Sequence, residues 1–255
     1  METGLGGKVI LVTGGSGGIG QAVCRAFAAE GAKVVVHYHR SKNDAEKLAV
    51  EIGGKSIKAD LRVPSEASDL VENSILEMGG LDACVANSGY YPPENRPIWE
   101  IDENRWNSTV LSNLGISANT ARSYLSHAKN CGHGSLIFVG STAGIYGEAG
   151  HSDYAAAKGA ITSGLLLSLK NEISGIGSVR VNAVAPGWTL TEKKSQSGLD
   201  DEVIGKAKQT MALKKLATPM DIAMAIVSLS SQEVSGHITG QIIEVAGGME
   251  GRIID

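Results

Sequence analysis

Short apolar runs rich in β-branched residues alternate with longer segments of helical periodicity along almost the whole chain. The runs are KVILVT (8–13), KVVVHY (33–38), SIKADL (56–61), DACVAN (82–87), SLIFVG (135–140), VRVNAV (179–184) and QIIEVA (241–246). Each has the length and residue types of a strand. Several are continuously apolar instead of alternating, as strands buried on both faces of a sheet are. The segments between them, near 19–30, 43–52, 65–78, 103–129, 153–174 and 219–230, predict helices. Strand and helix in strict alternation predict an α/β fold of Rossmann type, with helices on both faces of a doubly wound, seven-stranded parallel sheet. One domain is expected over 1–255.

Two stretches break this rhythm. SGYYPPENRPIWEI (88–101) carries three of the six prolines, and 186–215 separates the sixth strand from the last helix. A segment of the second kind inside a compact domain is usually functional, so its portion near 188–215 predicts a substrate lid.

Composition narrows the class. Hydrophobic residues make up 42% and charged residues 20% of the 255, as in a globular protein, and the 33 glycines imply tight turns or close backbone approach to a ligand. The net charge of −4, with acids and bases interspersed, leaves no basic stripe and argues against a nucleic-acid partner. Cys24, Cys84 and Cys131 are far apart and show no metal-ligand spacing, so no metal site is expected and the thiols read as reduced, in the cytoplasm. The first apolar run holds only four or five residues, too few for a signal-peptide core or a membrane span.

Two motifs carry chemistry. TGGSGGIG (13–20) joins the first strand to the first helix, where a glycine-rich turn lets backbone N–H groups approach a pyrophosphate at the positive helix end. The second motif, SDYAAAKGA (152–160), places Tyr154 and Lys158 one helical turn apart on one face. A cation beside a phenol favours the phenolate and lowers its pKa, which suits a proton donor near neutral pH; the same spacing also occurs in ordinary surface pairs.

Thr13-Gly14-x-x-x-Gly18-Ile19-Gly20, with Ser141 thirteen residues before Tyr154-x-x-x-Lys158, resembles the short-chain dehydrogenase/reductase family along essentially the whole chain. Asp60-Leu61, Asn87-Ser88-Gly89, Asn113 and Pro186-Gly187 follow in the family's order, and the 3-oxoacyl-carrier-protein reductase type is the nearest in pattern. The resemblance implies an oxidoreductase that interconverts a ketone and a secondary alcohol using a nicotinamide cofactor. Tyr154 is then the general acid or base, and Lys158 favours its phenolate and binds the nicotinamide ribose. Ser141 holds the substrate oxygen, and Asn113 anchors a water that relays protons from Lys158. Gly14, Ser16, Gly18, Ile19 and Gly20 would cradle the pyrophosphate, and Asp60 and Leu61 the adenine, while Asn87, Gly89, Pro186 and Gly187 would line the cofactor site. Thr189 would meet the carboxamide and Thr191 the phosphates. Ser141 also fits a simple turn cap, and Asn113 a satisfied buried amide.

Cofactor choice should be made at the end of the second strand. Tyr38 stands where NAD-using relatives carry an aspartate, and His39, Arg40, Ser41 and Lys42 follow with no carboxylate before Asp44. Arg40 suits a 2′-phosphate, which favours NADP(H) over NAD(H). Residues 15–17, Gly-Ser-Gly, lack the basic residue that many NADP-using relatives carry, and Ser88 replaces a customary alanine. An NAD-dependent sugar or alcohol dehydrogenase and a non-catalytic dinucleotide-binding module are the competing readings. The substrate pocket is expected near 90–99, 142–151 and 188–210, with Tyr90, Tyr91, Trp99, Tyr146 and Trp188 as walls. His151 reads as a solvated loop histidine. The resemblance also implies a homotetramer built on the helices at 103–129 and 153–174 and on the last strand.

Overall fold

In a computed structural model, which describes residues 2–191 and 200–253, seven strands form one parallel sheet in the order β3-β2-β1-β4-β5-β6-β7. They are β1 (Val9–Val12), β2 (Lys33–Tyr38), β3 (Lys55–Lys58), β4 (Ala83–Ala86), β5 (His133–Val139), β6 (Ser178–Pro186) and β7 (Ile242–Val245). This is the Rossmann-like α/β architecture read from the apolar pattern. The side-chain alternation of β1 divides the core: Ile10 and Val12 join one layer, with Phe27, Ile222 and Ile226, while Val9 and Leu11 join the other, with Leu70, Tyr124 and Phe138. The first layer is covered by α1 (Gly18–Ala29) and α10 (Pro219–Ser230), the second by α3 (Pro64–Met78) and α5 (Ile116–Cys131). Local chemistry sets the helix ends. Pro64 opens α3 and left-handed Gly79 closes it, while Thr218 and Asp221 form a capping box at the start of α10.

The long helices predicted at 103–129 and 153–174 are each interrupted. The first runs as α4 (Glu103–Val110), a π-helical turn (Leu111–Gly115) and α5; the second as α7 (Ser152–Gly159), a π-helical turn (Ala160–Leu165) and α8 (Leu166–Glu172). Asn113 lies in the first of these turns. Between β1 and β4 the strand order reverses direction, and a crevice opens there at the carboxyl ends of the strands.

Candidate active site

The crevice is a cleft of about 1200 Å³. Its walls include the residues assigned above to catalysis or cofactor binding, from Gly14 to Thr191, though not Tyr38 or Lys42 of the cofactor-choice segment. At one end the chain leaves β1 through Gly14, whose φ of +62° places it in the left-handed region. A Cβ on Gly20 would lie 2.1 Å from the Gly14 carbonyl oxygen, so only glycine lets the turn fold back on the helix. The cap residue Gly17 makes no side-chain hydrogen bond to the first turn of α1, which therefore turns bare N–H groups to the cleft. Thr191 lies beside Gly18, 2.8 Å from the position of an added Cβ. This cradle fits the pyrophosphate of a dinucleotide.

His37, missed from the sequence, braces the cradle. Its Nδ1 accepts the Gly14 N–H at 2.9 Å, and its Nε2 lies 3.0 Å from the Ala59 carbonyl oxygen. A carbonyl only accepts, so Nε2 carries the proton and the imidazole is neutral; burial pulls its pKa down to about 4. Asn87 acts in the same way, donating from Nδ2 to the Thr13 and Gly14 carbonyls at 2.9 and 3.2 Å.

The far side of this end is charged. The Arg62 guanidinium grips Asp60, with Nε at 2.9 Å from Oδ1 and Nη2 at 2.6 Å from Oδ2, and holds its carboxyl well below the usual range. His39 Nε2 stands 3.6 Å from the same carboxylate. Asp60, expected against an adenine, is thus engaged by Arg62, a lining residue that no motif announced. Arg40 and Ser41 complete this corner.

At the other end lie Ser141, Tyr154 and Lys158. The three-alanine spacer does form helix α7, and Lys158 Nζ lies 5.9 Å from the Tyr154 ring centroid while donating to the Val139 carbonyl at 2.8 Å. Burial of the ammonium lowers its pKa to about 8. The expected depression of the Tyr154 pKa is not found. Burial raises the phenol to about 12, Glu148 adds to the rise, and the hydrogen bond with Ser141 opposes it. Desolvation of the phenolate outweighs any help from the neighbouring cation. Ser141 Oγ also accepts the Ala143 N–H at 3.2 Å, so its turn-capping reading holds as well.

Asn113 is fully buried. Its Nδ2 donates to the Tyr90 and Thr109 carbonyls at 2.8 and 2.9 Å, and its Oδ1 accepts the Tyr90 N–H at 3.3 Å. A Cβ on Gly89 would lie 3.0 Å from Asn113 Oδ1 and 3.4 Å from Lys158 Nζ, which sets both side chains against this glycine.

Of the expected pocket aromatics, Tyr90, Tyr91 and Trp188 line the cleft. Trp99 does not, being 82% exposed, and Tyr146 turns away to donate to Glu244 at 2.8 Å. His151 is only 5% exposed, because it stacks on Tyr91. Val203, on α9 (Asp201–Gln209), also lines the cleft, while 192–199 of the expected lid lie outside the described residues. Among the described residues, no cluster of side chains is suited to a metal ion, and no helix is long and apolar enough to cross a membrane.

A cleft at the switch point of a doubly wound sheet, with a glycine cradle at its mouth, defines a dinucleotide-binding α/β protein. The chain belongs to the short-chain dehydrogenase/reductase family: the family model described as enoyl-(acyl carrier protein) reductase matches residues 14–250. It is 34% identical over 249 residues to the 3-oxoacyl-(acyl-carrier-protein) reductase of Salmonella typhimurium, covering 95% of this chain and 97% of that protein. The proteins of the same name from Chlamydia muridarum and Thermotoga maritima are 32% and 31% identical, over 95% and 96% of this chain and 97% and 98% of theirs. It is an oxidoreductase acting on a CH–OH or C=O group, and its family uses a nicotinamide dinucleotide.

Proposed function

We propose that the protein is an NADP(H)-dependent reductase of ketones, of the 3-oxoacyl thioester or carbonyl reductase type, working through Ser141, Tyr154, Lys158 and Asn113. One arrangement carries this reading: the hydrogen-bonded Ser141 and Tyr154 side chains stand in the same cleft as the buried Lys158 ammonium, beyond the glycine cradle. A bound nicotinamide supplies or accepts the hydride. The residues of the chain manage the oxygen and its proton. Ser141 donates a hydrogen bond to the substrate oxygen and stabilises its developing negative charge. Tyr154, protonated at neutral pH, passes its phenolic proton to that oxygen in reduction and takes it back in oxidation. Lys158, largely cationic below about pH 8, offsets the charge left on the phenolate. Asn113 fixes the Tyr90 peptide beside Lys158, on the route by which protons return. Gly14, Ser16, Gly18, Ile19 and Gly20 would hold the pyrophosphate; Asp60, Leu61, Asn87 and Gly89 would hold the adenosine and nicotinamide halves with Pro186, Gly187, Thr189 and Thr191.

Arg40 supports the choice of NADP(H). It faces the cleft beside His39 and Ser41 with no side-chain hydrogen bond or ion pair among the described residues. A guanidinium in that position pairs with a 2′-phosphate bidentately. With ethyl 3-oxohexanoate as substrate, kcat/KM is expected to be higher with NADPH than with NADH. Arg40→Ala should lower the NADPH value about tenfold and leave the NADH value unchanged, since a charge-assisted hydrogen bond contributes about 1.5 kcal/mol or more. Equal or better turnover with NADH rejects the NADP assignment and moves weight to an NAD-dependent sugar or alcohol dehydrogenase, a reading that the carboxylate of Glu148 in the cleft favours.

A homotetramer is part of the proposal. Exposed Leu111, Leu167, Ile242 and Ile243 lie on the two interrupted helices and on β7, where apolar surface needs a partner. Light scattering should give four times the 26.5 kDa chain mass; a stable monomer refutes the assembly.

A further inference from the structure

The mechanism above leaves unused a polar cluster on the substrate side of the cleft. Tyr91 donates its hydroxyl to Glu148 Oε1 at 2.5 Å, and the same hydroxyl lies 3.3 Å from His151 Nδ1. His151 Nε2 is 3.1 Å from the Pro92 carbonyl oxygen, so Nε2 carries a proton, and Nδ1 faces Glu148 Oε1 at 3.7 Å. The Tyr91 ring is clamped between two others: His151 stacks on it at 4.5 Å, and Tyr154 meets it edge-on at 5.0 Å. Glu148 is thereby a fixed carboxylate within electrostatic reach of Tyr154. Among the described residues nothing donates to its Oε2.

A carboxylate with an open oxygen beside the reacting group is a poor neighbour for an acyl chain and a good acceptor for a donor on the substrate. The Lys158 ammonium in the same cleft disfavours a cationic donor, so the matching donor is neutral, and a hydroxyl is the smallest such group. We propose that Glu148, held in place by Tyr91, on which His151 stacks, accepts a hydrogen bond from a hydroxyl on the carbon next to the reacting centre, so that the enzyme prefers α-hydroxy ketones and vicinal diols. This inference rests on the ketone–alcohol reading of the site and narrows its substrate class to the carbonyl reductase type, away from 3-oxoacyl thioesters.

The test is equilibrium binding, by calorimetry, of two alcohols of the same shape, 1,2-hexanediol and 3-heptanol. The full-length protein is first saturated with reduced cofactor, so that neither alcohol can be oxidised. The diol is expected to bind about tenfold more tightly, the gain of one hydrogen bond to a charged acceptor. In Glu148→Ala that ratio should fall to about one. In Tyr91→Phe, which keeps the carboxylate but releases it, the ratio should fall only part of the way. Equal affinities in the unaltered protein, no binding of the diol, or a diol preference that survives in Glu148→Ala each overturn the proposal. Turnover is assayed in parallel with 1-hydroxy-2-hexanone and ethyl 3-oxohexanoate. A diol preference that depends on Glu148, without turnover of either ketone, supports the subsite while refuting the reductase reading.

Discussion

Tyr154→Phe is expected to lower kcat about a thousandfold with little change in cofactor affinity, measured by loss of reduced-nicotinamide absorbance and by cofactor titration. The substitution keeps the ring that packs edge-on against Tyr91 and removes only the hydroxyl. General acid catalysis contributes roughly a hundredfold to ten-thousandfold, and among the described residues no other group in the cleft is placed to replace it. Lys158 is spent on the Val139 carbonyl, and His151 is separated from the phenol by Tyr91. Turnover that survives the substitution would mean that another group supplies the proton.

The second large effect lies outside the cleft. Asp153, next to Tyr154 in the chain, is wholly buried, and Arg105 reaches it with Nε at 3.0 Å from Oδ2. Thr109 donates to the same oxygen at 2.9 Å, and the guanidinium also binds the Glu94 and Gly150 carbonyls. One arginine thus ties the proline-rich segment, the loop before α7 and the start of α7 together. Arg105→Ala is expected to destabilise the fold by about 3 kcal/mol or more, because it leaves a buried carboxylate without its counter-charge. Denaturant midpoints at neutral pH measure the loss, and Asp153→Asn in the same chain should recover part of it by removing the stranded charge. Burial alone would raise the Asp153 pKa, but its hydrogen bonds from Arg105, Thr109 and the Tyr154 N–H bring it below the ordinary carboxylate value. The stability it contributes is therefore complete above the ordinary carboxylate range and lost as pH falls through the lowered folded value. In Arg105→Ala the carboxyl takes up its proton more readily, so the gap between the two proteins should narrow in acid. An unchanged midpoint at pH 7 would show that Asp153 does not need the arginine.

The sequence by itself determined the seven-stranded doubly wound sheet, the glycine cradle and the shared face of Tyr154 and Lys158. These follow from short continuously apolar runs, from the 3.6-residue period of the helices and from the backbone freedom of glycine, which act over a few positions and need no knowledge of what lies opposite. Tertiary structure alone decided the rest. That His37 braces Gly14, that Arg62 takes Asp60, and that Glu148 meets Tyr91, 57 positions earlier in the chain, depend on pairs brought together by folding. The interruption of the helix at Asn113 belongs with them, since the partner that fixes that amide, the Tyr90 peptide, comes from another segment. The protonation of the site was decided there as well. Helical spacing argued for a lowered tyrosine pKa, whereas the cost of an ion depends on the water removed around it, and that is fixed only when the cleft closes over the phenol.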